Sequence, residues 1–274
     1  MVEEQVLPVR GMGEDGLADS LPQMSQTDVM RLLLSEDDER SQEEPEVAAS
    51  IGEQMLHMDI PLLPKSVRTR IRDVCSRVSS RNAIIVGGGI GHLSAWLFDL
   101  WCPEGVEDGD QSENRPGTLT IIEPGGRFGV IIDRLIRRYQ SDSWARVVSM
   151  NWQEVFAESK SSIASNIALP ESALDSLLKM PVDLIVIDLP EEERIEAAIS
   201  AFELVSPGGL VLVLEPTVPT GDVGDVGEGG PTPAQSKVQS FNQWIELVKM
   251  VNQTHTLGFA ELSGGSLVAL LKSQ

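Results

Sequence analysis

The stretch Asn82 to Leu97, NAIIVGGGIGHLSAWL, constrains this chain more than any other. An apolar run, Ala83-Ile84-Ile85-Val86, ends in Gly87-Gly88-Gly89; Gly91 follows, and then a helix-like segment begins. A short continuous apolar run closed by glycines is the pattern of a buried parallel strand, a tight turn and a helix. Without a Cβ in the way, such a turn lets a ligand approach the backbone, and the helix N-terminus offers free N–H groups. The turn therefore commits the chain to an α/β layout and to a ligand part of which seats on backbone.

The rest of the chain repeats strand and helix. A second strand, Leu119 to Ile122, runs into Glu123-Pro124-Gly125-Gly126, and a helix at about Gly129 to Tyr139 carries Val130, Ile131, Leu135 and Ile136 as its apolar stripe. A third strand, Arg146 to Met150, is followed by Asn151-Trp152-Gln153-Glu154. The fourth, Val182 to Ile187, stops at Asp188; the helix Glu191 to Val205 ends at Ser206-Pro207-Gly208-Gly209, before a fifth strand, Leu210 to Leu214. A helix at about Gln235 to Asn252 then leads to a hairpin, Thr256 to Leu262 and Ser266 to Lys272, turned by Ser263-Gly264-Gly265. Continuous apolar strands alternating with helices require a sheet covered on both faces, and crossover handedness leaves one sensible topology. The expected fold is α/β: a doubly wound, mostly parallel seven-stranded sheet with a C-terminal antiparallel hairpin and helices on both faces.

Residues 1–50 read as an acidic, mostly disordered tail, with Ser35 to Glu46 (SEDDERSQEEPE) as its most charged part and one short helix at Gln26 to Leu34. The domain then spans 51–274, opening with a helical lead-in broken by Pro61 and Pro64. Pro103 to Pro116 reads as a polar, acidic insertion, and Thr217 to Pro233 as a mobile loop. The formal net charge of −21 argues against a nucleic-acid partner, because phosphate binding needs clustered Lys and Arg. Two distant cysteines, Cys75 and Cys102, make neither a disulfide framework nor a metal finger. No stretch has the length of a membrane span and the first residues lack a signal peptide's pattern, so a cytoplasmic protein is expected.

Two ligands compete for the glycine turn. A dinucleotide fingerprint, G-x-G-x-x-G, needs a third glycine where this chain has His92. The spacing is instead G-x-G-x-G, at Gly87, Gly89 and Gly91. Glu123, at the end of the second strand, is placed to accept hydrogen bonds from a ribose diol. Its alternative reading is a surface carboxylate at a strand end.

These features resemble motif I of the class I, Rossmann-like S-adenosylmethionine (SAM) methyltransferases. In layout, Ile51 to Lys272 is similar to the catechol and caffeoyl-CoA O-methyltransferase family, through DLIVIDLPEEERIEAAISAFELVSPGGLVLV, Phe241-Asn242, Gly264-Gly265 and the closing hairpin. The resemblance implies SAM as cofactor, held by Gly87, Gly88, Gly89, Gly91, Glu123, Asn151, Trp152 and Asp188. Asn151 would face the adenine amino group, and Trp152 would lie against the ring or else serve the core. The implied reaction is methylation of a hydroxyl on a small molecule, with Asp188 as the catalytic base and His92 a distant second candidate. The family also implies a homodimer.

There are departures. Ile85 stands where the family has an acidic residue inside motif I, and Leu189-Pro190-Glu191 stand where it has a basic one. Metal-dependent members pair an aspartate after strand four with Asp-Asn after strand five. Asp188 matches the first, but Leu214-Glu215-Pro216 does not match the second, so no divalent metal is expected. Two other readings stay open: a polyamine-synthase-like aminopropyltransferase using Asp188 and Glu191 to hold an amine, and a non-catalytic SAM-binding scaffold.

Overall fold

The computed structural model describes residues 25–102, 114–168, 177–220 and 232–273. Within them run α1 (Gln26–Leu33), α2 (Glu46–His57), α3 (Lys65–Cys75), β1 (Asn82–Gly87), α4 (His92–Trp101), β2 (Thr118–Ile122), α5 (Gly126–Arg138) and β3 (Ala145–Val148). They are followed by α6 (Trp152–Ala168), β4 (Leu184–Asp188), α7 (Glu191–Leu204), β5 (Leu210–Leu214), α8 (Pro233–Thr254), β6 (Thr256–Leu262) and β7 (Gly265–Leu271).

The strands form one seven-stranded sheet in the order β3-β2-β1-β4-β5-β7-β6. β3, β2, β1, β4 and β5 pair in parallel; β7 runs antiparallel to β5 and β6 antiparallel to β7. The expected doubly wound sheet with its closing hairpin is therefore the observed one. Strand side chains alternate between faces, and the core divides accordingly. Ala83, Ile85, Leu184, Val186, Leu210 and Leu212 point into one apolar cluster with α1 to α5. Ile84, Val86, Ile185, Ile187, Val211 and Val213 point into the other with α6, α7 and α8. Burial on both faces is why these strands read as unbroken apolar runs.

Three expectations need correction. The stripe of α5 is Gly129, Ile132, Leu135 and Ile136, while Val130 is exposed. The boundary placed at residue 50 falls inside α2, and residues 25–50 pack onto the domain instead of trailing from it. α1 buries Met30 against β6, where Gly258 lets Leu34 come close, and Gln26 Oε1 accepts a bond from Thr256 Oγ1 at 2.7 Å. The Arg77 guanidinium donates to the carbonyls of Leu33, Ser35 and Glu36 at the end of α1. Composition alone missed this, because the segment is fixed by arginines far away in sequence. Residues 1–24, 169–176, 103–113 of the expected insertion and 221–231 of the expected loop lie outside the described residues.

Candidate functional site

The sheet reverses its order between β1 and β4, where neighbouring crossovers go to opposite faces, the place at which open α/β sheets bind their ligands. Gly87 of β1 is in register with Asp188 of β4, so the glycine turn and that carboxylate leave the sheet side by side. Gly87, Gly88, Gly89 and Gly91 all hold positive φ, between 55° and 117°, the region that glycine enters without strain.

The four glycines do different work. A Cβ on Gly87 would strike the Asp188 carbonyl, and one on Gly91 would press on Leu135 at 3.0 Å, so both serve close packing. A Cβ on Gly89 would meet Met55 Cε at 3.2 Å and Ile60 Cγ2 at 3.3 Å, atoms of α2 and the segment after it that cover this side of the turn. Gly88 differs: it is buried, yet a Cβ there would have only Asp188 Oδ2 within 4 Å, at 3.8 Å. The space against the turn therefore lies beside Gly88 and is bounded by the Asp188 carboxylate.

Burial pushes the Asp188 carboxyl up from its ordinary 3.8 to about 6; Arg194 and Arg68 oppose the rise and Glu123 adds to it. Glu123, 6 % exposed, follows β2 and accepts from the Gly125 N–H at 3.1 Å and from the Gly89 N–H. Burial raises it as well, against those two N–H groups. A carboxylate has about four acceptor positions, so Glu123 can brace the turn and still accept from a ligand diol.

Of the sequence-proposed residues, Gly88, Glu123 and Asp188 come together with the rest of the turn. Asn151 is exposed, and its Oδ1 accepts from the Gln153 N–H at 3.0 Å, capping the start of α6. Trp152 is corrected: its ring is in the core and its indole N–H donates to Ser200 Oγ of α7 at 2.7 Å. His92 is a packed residue. It touches Gly52 of α2, lies against the Arg68 guanidinium and is 2.9 Å from Glu44 Oε1, while burial, then Arg68, holds its pKa down at about 4. His57 bonds its own helix at Glu53 O, and His255 accepts from the Ser273 N–H, so no histidine stands at Asp188. Ile85 faces the core.

Two site residues escaped the sequence reading. Arg194, in the first turn of α7, is buried and binds the carbonyls of Leu189 and Leu214. Arg68 of α3 is buried beneath the turn, pairs with Glu44 at 2.7 Å and lies over the Trp96 ring. The legible signal for Arg194 was its place after Glu191-Glu192-Glu193, where a cation opposes the helix dipole.

No family model and no curated protein matches the chain. Solved structures do. An O-methyltransferase from Bacillus cereus, in complex with SAH, is 15% identical, with a TM-score of 0.54 over 90% of this chain and 98% of its own. TomG, an O-methyltransferase from Streptomyces achromogenes in complex with SAM, is 16% identical, with a TM-score of 0.52 over 91% of this chain and 100% of its own. A methyltransferase from Geobacter sulfurreducens is 9% identical at a TM-score of 0.52. This chain has the class I methyltransferase fold.

The glycine turn after β1, Glu123 after β2 and Asp188 at the end of β4 share one end of the sheet. Among the described residues, no three His, Cys, Asp or Glu side chains are placed to share a metal ion. No described helix is long and apolar enough to cross a membrane. That end of the sheet thus presents a crevice beside Gly88, bounded by the glycine turn and the Asp188 carboxylate, with Glu123 across the turn.

Proposed function

We propose that the chain is a SAM-dependent methyltransferase acting on a hydroxyl of a small molecule. One observation carries this reading: at the sheet's switch point, the space beside Gly88 is closed by the Asp188 carboxylate, and Glu123 stands across the turn. The space is the kind of cradle that a ligand passing close to backbone would fill, and a sulfonium centre suits a carboxylate wall. Gly88 would give the close approach, while Gly87, Gly89 and Gly91 keep the turn in shape. Glu123 would accept from the ribose hydroxyls. Asn151 would contribute its amide at the adenine end, next to the α6 terminus that it caps.

Bound SAM supplies a methyl group on a positively charged sulfur. The chain's own contribution is to hold an acceptor hydroxyl in line, exclude water, and take the hydroxyl proton. Asp188 is our candidate base: with its carboxyl near 6 it is ionised at pH 7 to 8, yet more basic than an ordinary aspartate. The family resemblance adds a homodimer, which light scattering would read, and two unpaired cysteines suit the cytoplasm.

The test is transfer of labelled methyl from SAM to a panel of phenols, catechols and amines, with and without a chelator. Transfer to hydroxyl acceptors that survives chelation supports the reading, and Asp188→Asn should then lower kcat by about 10²- to 10⁴-fold. Transfer confined to amines would refute the hydroxyl acceptor. Use of decarboxylated SAM as an aminopropyl donor would favour the polyamine-synthase alternative.

A further inference from the structure

Arg194 is a site residue whose placement runs against local rules. It is 8 % exposed, it sits in the first turn of α7 where the helix dipole disfavours a cation, and burial holds its pKa below the usual value. Such a conflict, retained in a chain that otherwise follows its patterns, points to a site. The geometry says which. Arg194 Nε and Nη2 both donate to the carbonyl of Leu189, at 3.3 and 3.1 Å, and Nη1 donates to the carbonyl of Leu214 at 3.5 Å. Leu189 is the residue after Asp188, and Leu214 is the last residue of β5, the strand beside β4. One planar guanidinium thus ties together the two chain ends that leave the sheet at Asp188, which a point-like ammonium could not do in the same way. A second tie runs parallel: the Glu191 carboxylate accepts from the Thr217 N–H and Oγ1 at 3.2 and 3.1 Å, joining the same two connections farther out.

We propose that Arg194 is a positioning residue for Asp188: by clamping the ends of β4 and β5 it fixes where that carboxylate stands against the glycine turn. The inference rests on the reading of the crevice as a SAM site. The charged groups facing Asp188 are Arg194 from α7, Arg68 from α3 and Glu123 from the end of β2. Loss of Arg194 removes both the clamp and the stronger of the two compensating charges, and Asp188 then no longer holds its charge at a fixed point beside Gly88. The consequence is read in binding, without turnover. SAM carries the sulfonium charge and SAH does not, so the ratio of their affinities reports the carboxylate.

The experiment is calorimetry of SAM and SAH at pH 8 on the full chain as wild type, Arg194→Gln, Arg194→Lys, Asp188→Asn and the double variant Asp188→Asn/Arg194→Gln, with thermal melts for folding. Asp188→Asn should lower the preference for SAM over SAH by about tenfold. Arg194→Gln should do nearly the same while changing SAH affinity little, and in the Asp188→Asn background it should change the ratio no further. Arg194→Lys, the variant that decides if the glutamine variant does not fold, should fall between wild type and Asp188→Asn. A ratio unchanged in Arg194→Lys and Arg194→Gln, or one that shifts equally with and without Asp188, overturns the positioning role while leaving the SAM reading intact. A wild-type chain that binds neither ligand overturns both.

Discussion

Asp188 answers to two opposed demands. As a base beside a sulfonium it must be ionised, yet it stands half-buried at the end of β4, and the desolvation there lifts its carboxyl from 3.8 to about 6. A carboxyl with a raised folded-state pKa binds its proton more tightly folded than unfolded. Stability therefore falls as pH rises from about 4 to about 6, and the deficit persists above. Asp188→Asn should accordingly stabilise the protein at pH 8 by about 1–2 kcal/mol and have little effect below pH 4. Urea melts at the two pH values check this; equal effects at both would show that the carboxylate is not strained by its site. Burial raises Glu123 in the same direction, but the N–H groups of Gly125 and Gly89 partly compensate it. Glu123→Gln keeps the shape but loses charge-assisted acceptance, worth roughly 1–2 kcal/mol, so SAH affinity should drop about tenfold.

At the scale of elements, what was readable depended on whether a signal was local. β1, β4 and β5 are unbroken apolar runs because both sheet faces are covered, and the glycine turn and closing hairpin carry their own residues, so all were legible. α5 was read in the right place with its face partly misassigned, because four apolar residues in a row, Val130 to Ile132 with Gly129 before them, leave periodicity alone unable to choose which faces solvent. Trp152 could be read as site or as core, and Ser200, 48 residues on, decides for core by accepting its N–H. Arg68 was invisible and Arg194 was marked only by the three glutamates before it, since their partners are carbonyls and carboxylates brought up by tertiary structure. The same holds for Lys272 near the end of β7. Its ammonium donates to the carbonyls of Phe202, Glu203 and Val205, at 3.1, 2.9 and 2.8 Å, closing the C-terminus of α7, which leads back from the site. Lys272→Met should cost about 1–2 kcal/mol in chemical denaturation without altering SAH affinity.

At the scale of the molecule, the segment from α1 to α2 works as a strap. It starts on the edge strand β6, crosses the C-terminal end of α3 at Asp73 and at Arg77 just beyond it, and reaches the glycine turn, where Glu44 meets His92, the first residue of α4. Met55 and Ile60 then cover Gly89. A chain beginning at residue 46 should lose more than about 2 kcal/mol of stability, as expected when buried ion pairs lose a partner and apolar side chains are uncovered. A denaturation midpoint unchanged from that of the full chain would refute the strap. The sheet order, the turn and the two carboxylates together make the central claim that the crevice beside Gly88 is a SAM site. Calorimetry of the purified chain with SAM, SAH and NAD tests it most directly. The account predicts SAM and SAH binding with Kd of about 1–100 µM, no NAD binding, and loss of both affinities in a folded Gly88→Ala. NAD binding without SAM or SAH would contradict it.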